Sequence, residues 1–415
     1  MRVAVIGGGM AGLAAAHALA GRGADPIVFE AEARAGGKVG SRNDDGWLTE
    51  DGPHFLARPL DALVETAGLQ GEVVRPQGPR TRFVHLDGRV FKAPGLALLL
   101  RAGVGRALLE PLFARPLGDD VTLRDFLVRR FGQRAGALAA QLMAAGVYAG
   151  DPAALSARDA FPSLAAPGSI LMNALRSPRR TDLWSLRRGL GSLPESIAAK
   201  LAVRLGTPVT AMQPSRGGWQ VLAGGATERF DAVVLAVPAS QAAALARGFA
   251  PRLADALGGF RAVPVALVHL GFKQAGLPRG FGMLDADGAL HATGTLFPAS
   301  MLPGRAPAGR ALLSAVCGGA RHPERARQPD PTLVAAVCAD LSRTLGVKGD
   351  PEYVRIVRHA EAIPQYTPGH SARVHAAREL LASQPPLKLA GAAYDGVSVP
   401  DVTRSGAAAA EALLQ

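Results

Sequence analysis

A mixed α/β (α+β) fold is predicted for this 415-residue chain by three observations. A short apolar strand at the N-terminus runs straight into a glycine-rich turn and an alanine-rich helix. Further short apolar strands return at 207–238 and 387–390. Residues 95–185 read as helices, with apolar patches broken by Arg.

The opening strand is Arg2 to Ile6, and Gly7-Gly8-Gly9-Met10-Ala11-Gly12 follows at once. Gly7, Gly9 and Gly12 match G-x-G-x-x-G in the context that motif requires, between a strand and the apolar helix from Leu13 to Leu19. Gly7 permits the tight turn, Gly9 lets the backbone approach a pyrophosphate, and Gly12 lets helix and strand pack, with the helix N-terminus facing the phosphates. A second strand, Pro26 to Phe29, ends at Glu30, eighteen residues past Gly12. An acid there takes the ribose hydroxyls of an adenine dinucleotide, so the unit reads as Rossmann-like.

Composition narrows the remaining classes. Apolar residues make up 48% of the chain, which excludes intrinsic disorder. The formal charge is +12, and Arg supplies all but six of the 46 basic residues. The densest basic run, Arg176, Arg179, Arg180, Arg187 and Arg188, has few interleaved aromatics and reads as a solvated or lipid-facing loop, so no nucleic-acid partner is expected. With no CxxC or HExxH spacing and no evident His cluster, no metal is expected. Cys317 and Cys338 sit in apolar surroundings and read as buried free thiols. No apolar run reaches the roughly 18 residues of a spanning helix. A glycine turn starting at residue 7 leaves no room for a cleavable signal, so the expected location is the cytoplasm or a membrane face bordering it.

After Glu30 come Ala31, Arg34 and a second glycine pair, Gly36-Gly37, followed by Lys38. A nicotinamide domain has no need of that pair, whereas a flavin enzyme uses it to bring backbone amides to an extended FAD. The run E-x-x-x-R-x-G-G-K, with Glu50-Asp51-Gly52-Pro53-His54-Phe55 after it, resembles the flavin-containing amine oxidase superfamily. Thr207 to Met212 and Phe230 to Pro238 are similar to the returning strands of that superfamily's FAD domain. Leu387 to Ala390, leading through Gly391–Asp401 to an Ala-rich helix, is similar to its C-terminal flavin segment. Pro400 suits the first turn of that helix. Its N-terminus is expected to face the N1/C2 edge of the isoalloxazine, favouring the negative charge of reduced flavin. The cofactor contacts implied by the resemblance are Gly7, Gly8, Gly9, Met10, Ala11, Gly12, Glu30, Ala31, Arg34, Gly37, Lys38, Gly52, Pro53, His54, Phe55, Val209 (through its backbone), Val397, Ser398 and Val399.

Other blocks resemble the protoporphyrinogen oxidases within that superfamily: A-G-V-Y-A-G-D-P at 145–152, F-P-S-L at 161–164, W-S-L-R-R-G-L-G-S-L-P at 184–194, G-F-G-M-L at 280–284 and I-P-Q-Y-T-P-G-H at 363–370. The resemblance covers residues 1 to about 412 and implies a p-hydroxybenzoate-hydroxylase-like architecture. Its parts are a discontinuous FAD-binding domain (1–60, 186–245 and 386–415), a mixed-sheet substrate domain (61–94 and 246–385) and a helical insertion (95–185). Two positions depart from the pattern: Arg188 replaces a glycine, and Val402-Thr403-Arg404 replaces an N-D-C-I-like run. Both bear on activity rather than fold.

The implied activity is oxygen-dependent, six-electron oxidation of protoporphyrinogen IX to protoporphyrin IX with release of hydrogen peroxide. Flavin accepts two electrons at a time, so three hydride transfers from a meso C–H held about 3–3.5 Å from flavin N5, each followed by reoxidation with molecular oxygen, complete it. No protein nucleophile or metal is required. Phe281 and Leu284 are expected to clamp the macrocycle, with the Gly146 backbone beside it and Arg82 making a bidentate contact with a propionate. The apolar patches at 96–101 and 108–113, rimmed by Arg, resemble the family's monotopic membrane patch; a helical subdomain with buried faces is the alternative. Coproporphyrinogen III oxidation by the same fold and a catalytically silent flavin or porphyrin carrier are the competing functions. A homodimer and transfer of product to a ferrochelatase are partners the resemblance raises, with no residue in this sequence to carry them.

Overall fold

The computed structural model describes residues 1–58, 60–78, 80–113, 118, 120–176, 182–273 and 277–415; Arg179 and Arg180 of the basic run lie outside them. Twelve strands form the two main sheets: β1 (Arg2–Ile6), β2 (Asp25–Phe29), β3 (Arg82–Leu86), β4 (Arg89–Ala93), β5 (Ala202–Arg204), β6 (Ala232–Leu235), β7 (Ala262–Lys273), β8 (Gly282–Asp285), β9 (Ala292–Leu296), β10 (Arg310–Gly318), β11 (Tyr353–Pro364) and β12 (Leu387–Leu389). The helices that matter for the site are α1 (Met10–Ala20), α2 (Leu123–Phe131), α3 (Gln133–Tyr148), α4 (His370–Glu379) and α5 (Val399–Leu414).

The first sheet is parallel, in the order β12-β6-β1-β2-β5. Helices can then cover both of its faces, which is why Val3, Ala4 and Val5 are all fully buried rather than alternating. Its strands come from three separated stretches of chain. α1 packs on α5 so tightly that a Cβ at Gly406 would strike the Ala11 backbone. α5 starts where Ser398 Oγ accepts the Asp401 N–H and Pro400 occupies the first turn, where a missing N–H costs nothing.

The second sheet, β11-β7-β10-β9-β8-β3-β4, is antiparallel except for the parallel β8–β3 pair. One face packs on the helix Asp330–Leu345, burying Leu333, Val337 and Leu341 against Val268, Leu270 and Cys317. β11 sends Arg355 and His359 across to Asp51, joining this sheet to the dinucleotide-binding half. Both cysteines are free; Cys317 is buried and Cys338 only half-buried, less than its apolar neighbours suggest.

In the insertion, Thr122 caps α2 by accepting the Asp125 N–H at 3.1 Å. Arg130 and Glu110 form a buried ion pair at 2.7 Å, and Glu110 also accepts the Ile170 and Leu171 amides. Leu98 and Ala102 face inward, but Leu96, Leu100, Leu108 and Leu112 are 67–76% exposed. Wholly buried faces therefore do not describe 96–112. Among the described residues no helix is long and apolar enough to cross a membrane.

Candidate active site

Two glycine turns lie side by side at the C-terminal ends of β1 and β2. The Gly36 N–H donates to the Gly8 carbonyl at 2.8 Å, and Gly9 and Gly36 pair as a parallel bridge. Gly7 takes a positive φ of 104°, and a Cβ there would lie 2.6 Å from the Ala236 carbonyl oxygen. A Cβ on Gly12 would overlap the Gly7 carbonyl. At Gly9 the situation reverses, since among the described residues nothing beyond its chain neighbours lies within 4 Å of its Cβ position. The turn is packed on its protein side and open only at the helix N-terminus, the side on which a phosphate group binds. Gly37 stands 3.4 Å, by its Cβ position, from the Gly9 Cα.

Glu30 is buried beside this turn, its two oxygens accepting the Gly8 N–H at 2.6 Å and the Glu32 N–H at 2.9 Å. The Thr207 N–H donates to the Glu30 carbonyl at 2.8 Å, which carries half-buried Val209 to the same corner. Met10 and Ala11 are buried in the helix packing, whereas Ala31 is exposed. Arg34 Nη2 reaches Asp51 Oδ2 at 2.7 Å and the Gly37 carbonyl at 2.8 Å, and Arg355 holds the other Asp51 oxygen at 2.5 Å. Lys38 is half-buried, and that burial lowers its ammonium below the usual lysine range despite nearby Glu361. Gly52 lies against the Lys38 carbonyl with no room for a Cβ.

Behind Pro53 and Phe55, His54 is buried with Nδ1 3.2 Å from the Gly52 carbonyl, its ring 5.8 Å from buried His269. Burial, then the Arg305 charge, pushes His54 down to about 4, so it is neutral near pH 7. Glu50 is buried 3.2 Å from Arg305, accepts the Leu190 N–H and hydrogen-bonds to Ser41. Burial outweighs these partners and raises its carboxyl to about 7. Arg305 also donates to Ser185 Oγ at 2.7 Å and the Leu186 carbonyl, fixing the W-S-L-R-R-G-L turn to the glycine half.

At the other end, the 391–398 segment runs from β12 to the N-terminus of α5. The Gly391 N–H donates to Ser405 Oγ at 2.9 Å, and Val397 packs beside Tyr148 and Tyr366. Ser398 is exposed and Val399 buried at the helix start.

The residues expected to meet substrate fall into two adjoining groups. Arg82 stands opposite Gly282 in the β3–β8 register, and its guanidinium carbon lies 5.1 Å from the Phe281 ring centroid. Phe281 stacks on Phe55 at 5.3 Å and 27°. On β8 beyond it, Leu284 Cδ1 is 3.6 Å from the Cβ position of Gly146 on α3. Phe55 thus links the glycine-cradle segment to the apolar wall.

The two departures have defined places. Arg188 is exposed, while the next residue, Gly189, has φ +95° and is buried against Ser41; the turn needs glycine at that second position only. Val402 packs into the core, Thr403 is buried, and exposed Arg404 pairs with Asp401 at 3.1 Å. Sequence reasoning left Gly36, Asp51, Arg305, Arg355 and Tyr366 off the site. A further group it missed is His85, Asp285 and Asp287, brought together across 200 residues. His85 Nδ1 is 2.9 Å from Asp285, whose oxygens also accept the Leu290 and Asp287 amides.

A paired glycine cradle with a ribose-side acid, joined to a mixed sheet carrying an aromatic wall, defines a two-sheet flavoprotein of the oxidoreductase type. The chain belongs to the flavin containing amine oxidoreductase family, whose model matches residues 10–414. It is 32% identical over 490 residues to the protoporphyrinogen oxidase of Homo sapiens, covering 99% of this chain and 98% of that one. A crystal structure from Exiguobacterium sp. 255-15, provisionally described as a protoporphyrinogen oxidase, superposes with a TM-score of 0.87 at 27% identity, covering 99% and 98% of the two chains. Cyclohexylamine oxidase from Brevibacterium oxydans IH-35A shares the fold, with a TM-score of 0.76 at 19% identity over 100% and 99% of the chains. The chain is an FAD-dependent oxidoreductase. The open side at Gly9, the flanking Gly36-Gly37 turn and the Glu30 corner fit that cofactor.

Proposed function

We propose that this enzyme oxidises protoporphyrinogen IX to protoporphyrin IX in six electrons, with molecular oxygen as acceptor and hydrogen peroxide as product. The observation that carries the reading is the Arg82–Phe281–Phe55 column adjoining Leu284 and Gly146. An apolar macrocycle with propionate arms asks for that pairing of aromatic wall and exposed guanidinium. Bound FAD supplies a two-electron acceptor. The protein's part is to hold the ring: Phe281 and Leu284 face the macrocycle, the Gly146 backbone leaves it room, and Arg82 takes a propionate. Gly7–Gly12, Glu30, Gly37 and Val209 hold the cofactor's nucleotide end, and Val397–Val399 approach its isoalloxazine edge.

The exposed leucines at 96–112, with Arg101 and Arg106 on the same short helices, support peripheral attachment to the cytoplasmic face of a membrane. The test of the reaction is anaerobic. Protoporphyrinogen IX added to the purified holoprotein should bleach the flavin absorption, and admission of air should restore it. A flavin that stays oxidised in the presence of excess porphyrinogen contradicts the proposal.

A further inference from the structure

Tyr366 lies in the I-P-Q-Y-T-P-G-H run, between the end of β11 and α4, and is 4% exposed. Its ring stacks on His370 at 3.7 Å and 14°, with Phe260 edge-on to His370 at 5.6 Å. Its hydroxyl donates to the Ala392 carbonyl and accepts the Gly396 N–H, both at 2.7 Å. One phenol thus ties the two sides of the 391–398 segment together. Ala392 and Gly396 are half-buried, and removing that oxygen takes from both the partner they share.

The same run also grips the substrate side. Gln365 Nε2 donates to the Tyr148 carbonyl at the end of α3 at 3.0 Å, and the Ser156 N–H donates to the Tyr366 carbonyl at 2.7 Å. A Cβ on Gly150 would sit 2.8 Å from Gln365 Oε1, so the α3 end and this run are in close register. α3 carries Gly146, against which Leu284 packs. A continuous set of contacts therefore runs from the porphyrinogen wall, through Gln365 and Tyr366, to the segment preceding α5.

We infer that Tyr366 is a positioning residue that sets the 391–398 segment against the isoalloxazine edge and couples its placement to the substrate-side end of α3. The inference rests on the reading of Val397–Val399 as the flavin-edge contact. Ser405 is the second pin of the segment, through the Gly391 N–H at 2.9 Å and Asp395 Oδ2 at 2.5 Å. Without the Tyr366 phenol the segment keeps Ser405 and the Arg378–Asp395 ion pair at 2.8 Å, presents the α5 N-terminus less firmly to the flavin and stabilises the negative charge of its reduced form less well.

The experiment compares Tyr366→Phe with Tyr148→Phe in the purified holoprotein. Tyr148→Phe removes another buried hydroxyl, bonded to the Ala160 carbonyl at 3.1 Å, while keeping the ring that packs beside Val397 and every hydrogen bond of the 391–398 segment. Tyr366→Phe should raise the FAD dissociation constant about tenfold, shift the flavin absorption band and lower its midpoint potential. Tyr148→Phe should lower Tm alone, with the flavin's spectrum and potential unchanged. Wild-type flavin affinity, spectrum and potential in Tyr366→Phe overturn the inference while leaving the oxidase reading intact; failure of the wild type to be reduced by porphyrinogen overturns that reading instead. Should Tyr366→Phe not accumulate as folded protein, Ser405→Ala must show the same shifts, and an unshifted flavin there overturns the inference equally.

Discussion

The guanidinium of Arg82 rests over the face of Phe281, 5.1 Å from its ring centroid, though the two residues are 199 positions apart in the chain. The stacking leaves an exposed guanidinium to meet a carboxylate, with the aromatic face fixing where it stands. Arg82→Ala should raise KM for protoporphyrinogen about tenfold with little change in kcat, and Arg82→Lys should recover only part of that loss. Steady-state kinetics across the three proteins decide it, and equal KM values remove Arg82 from the substrate site.

The glycine cradle makes a contrast between two single substitutions. Among the described residues a methyl on Gly9 meets nothing within 4 Å beyond its chain neighbours, so Gly9→Ala should fold with nearly unchanged Tm. The same methyl projects into the space assigned to the pyrophosphate, and the FAD dissociation constant should rise tenfold or more. Gly12→Ala collides with the Gly7 carbonyl and should lose soluble folded protein altogether. Flavin titration of Gly9→Ala with wild-type affinity would place the cofactor elsewhere.

Leu100 and Leu108 are 71% and 67% exposed, and neither supports the packing of the insertion. The double variant Leu100→Glu/Leu108→Glu should keep the wild-type Tm while its binding to anionic lipid vesicles falls at least tenfold in co-sedimentation. Undiminished sedimentation of the variant argues against this face as the attachment surface.

Stability should fall on the acid side. Burial lowers both His54 and His370 to about 4 in the folded state, against an ordinary value of 6.5. A depressed histidine pKa means the unfolded chain binds more protons between those values, so the contribution is present above pH 6.5 and is lost as pH falls toward 4. Glu50, raised to about 7, acts in the opposite sense: its contribution is present at low pH and is lost as pH rises from about 4.5 to 7. The histidines outnumber it. Urea midpoints should therefore drop between pH 6.5 and 4.5, and His370→Gln should show a shallower drop; a wild-type midpoint rising toward pH 4.5 would contradict these assignments.

What the sequence disclosed follows from distance along the chain. Gly7, Gly9, Gly12 and Glu30 lie within thirty residues, so a strand, a turn and a helix in order suffice to read the cradle. The mixed second sheet was expected only by resemblance, because its strand order follows from pairings such as β3 with β8 that no local pattern specifies. The same limit hid Arg305 under Glu50, Arg355 on Asp51, and the His85–Asp285 pair. Tyr366 stands inside the I-P-Q-Y-T-P-G-H motif, but its bonds to Ala392 and Gly396 join residues that no local spacing relates. At Arg188 a lost glycine looked serious in sequence; its exposure and the retained Gly189 show that the turn's requirement is met one residue later.

The identity of the substrate is decided by one aerobic assay. Protoporphyrinogen IX and coproporphyrinogen III are offered separately to the holoprotein, with porphyrin fluorescence and hydrogen peroxide followed together. Protoporphyrin IX should appear rapidly with three equivalents of peroxide per porphyrin, and the tetracarboxylate should turn over much more slowly. Preferential formation of coproporphyrin III would reassign the substrate, and no porphyrin from either, in protein that carries its flavin, would contradict the assignment as a porphyrinogen oxidase.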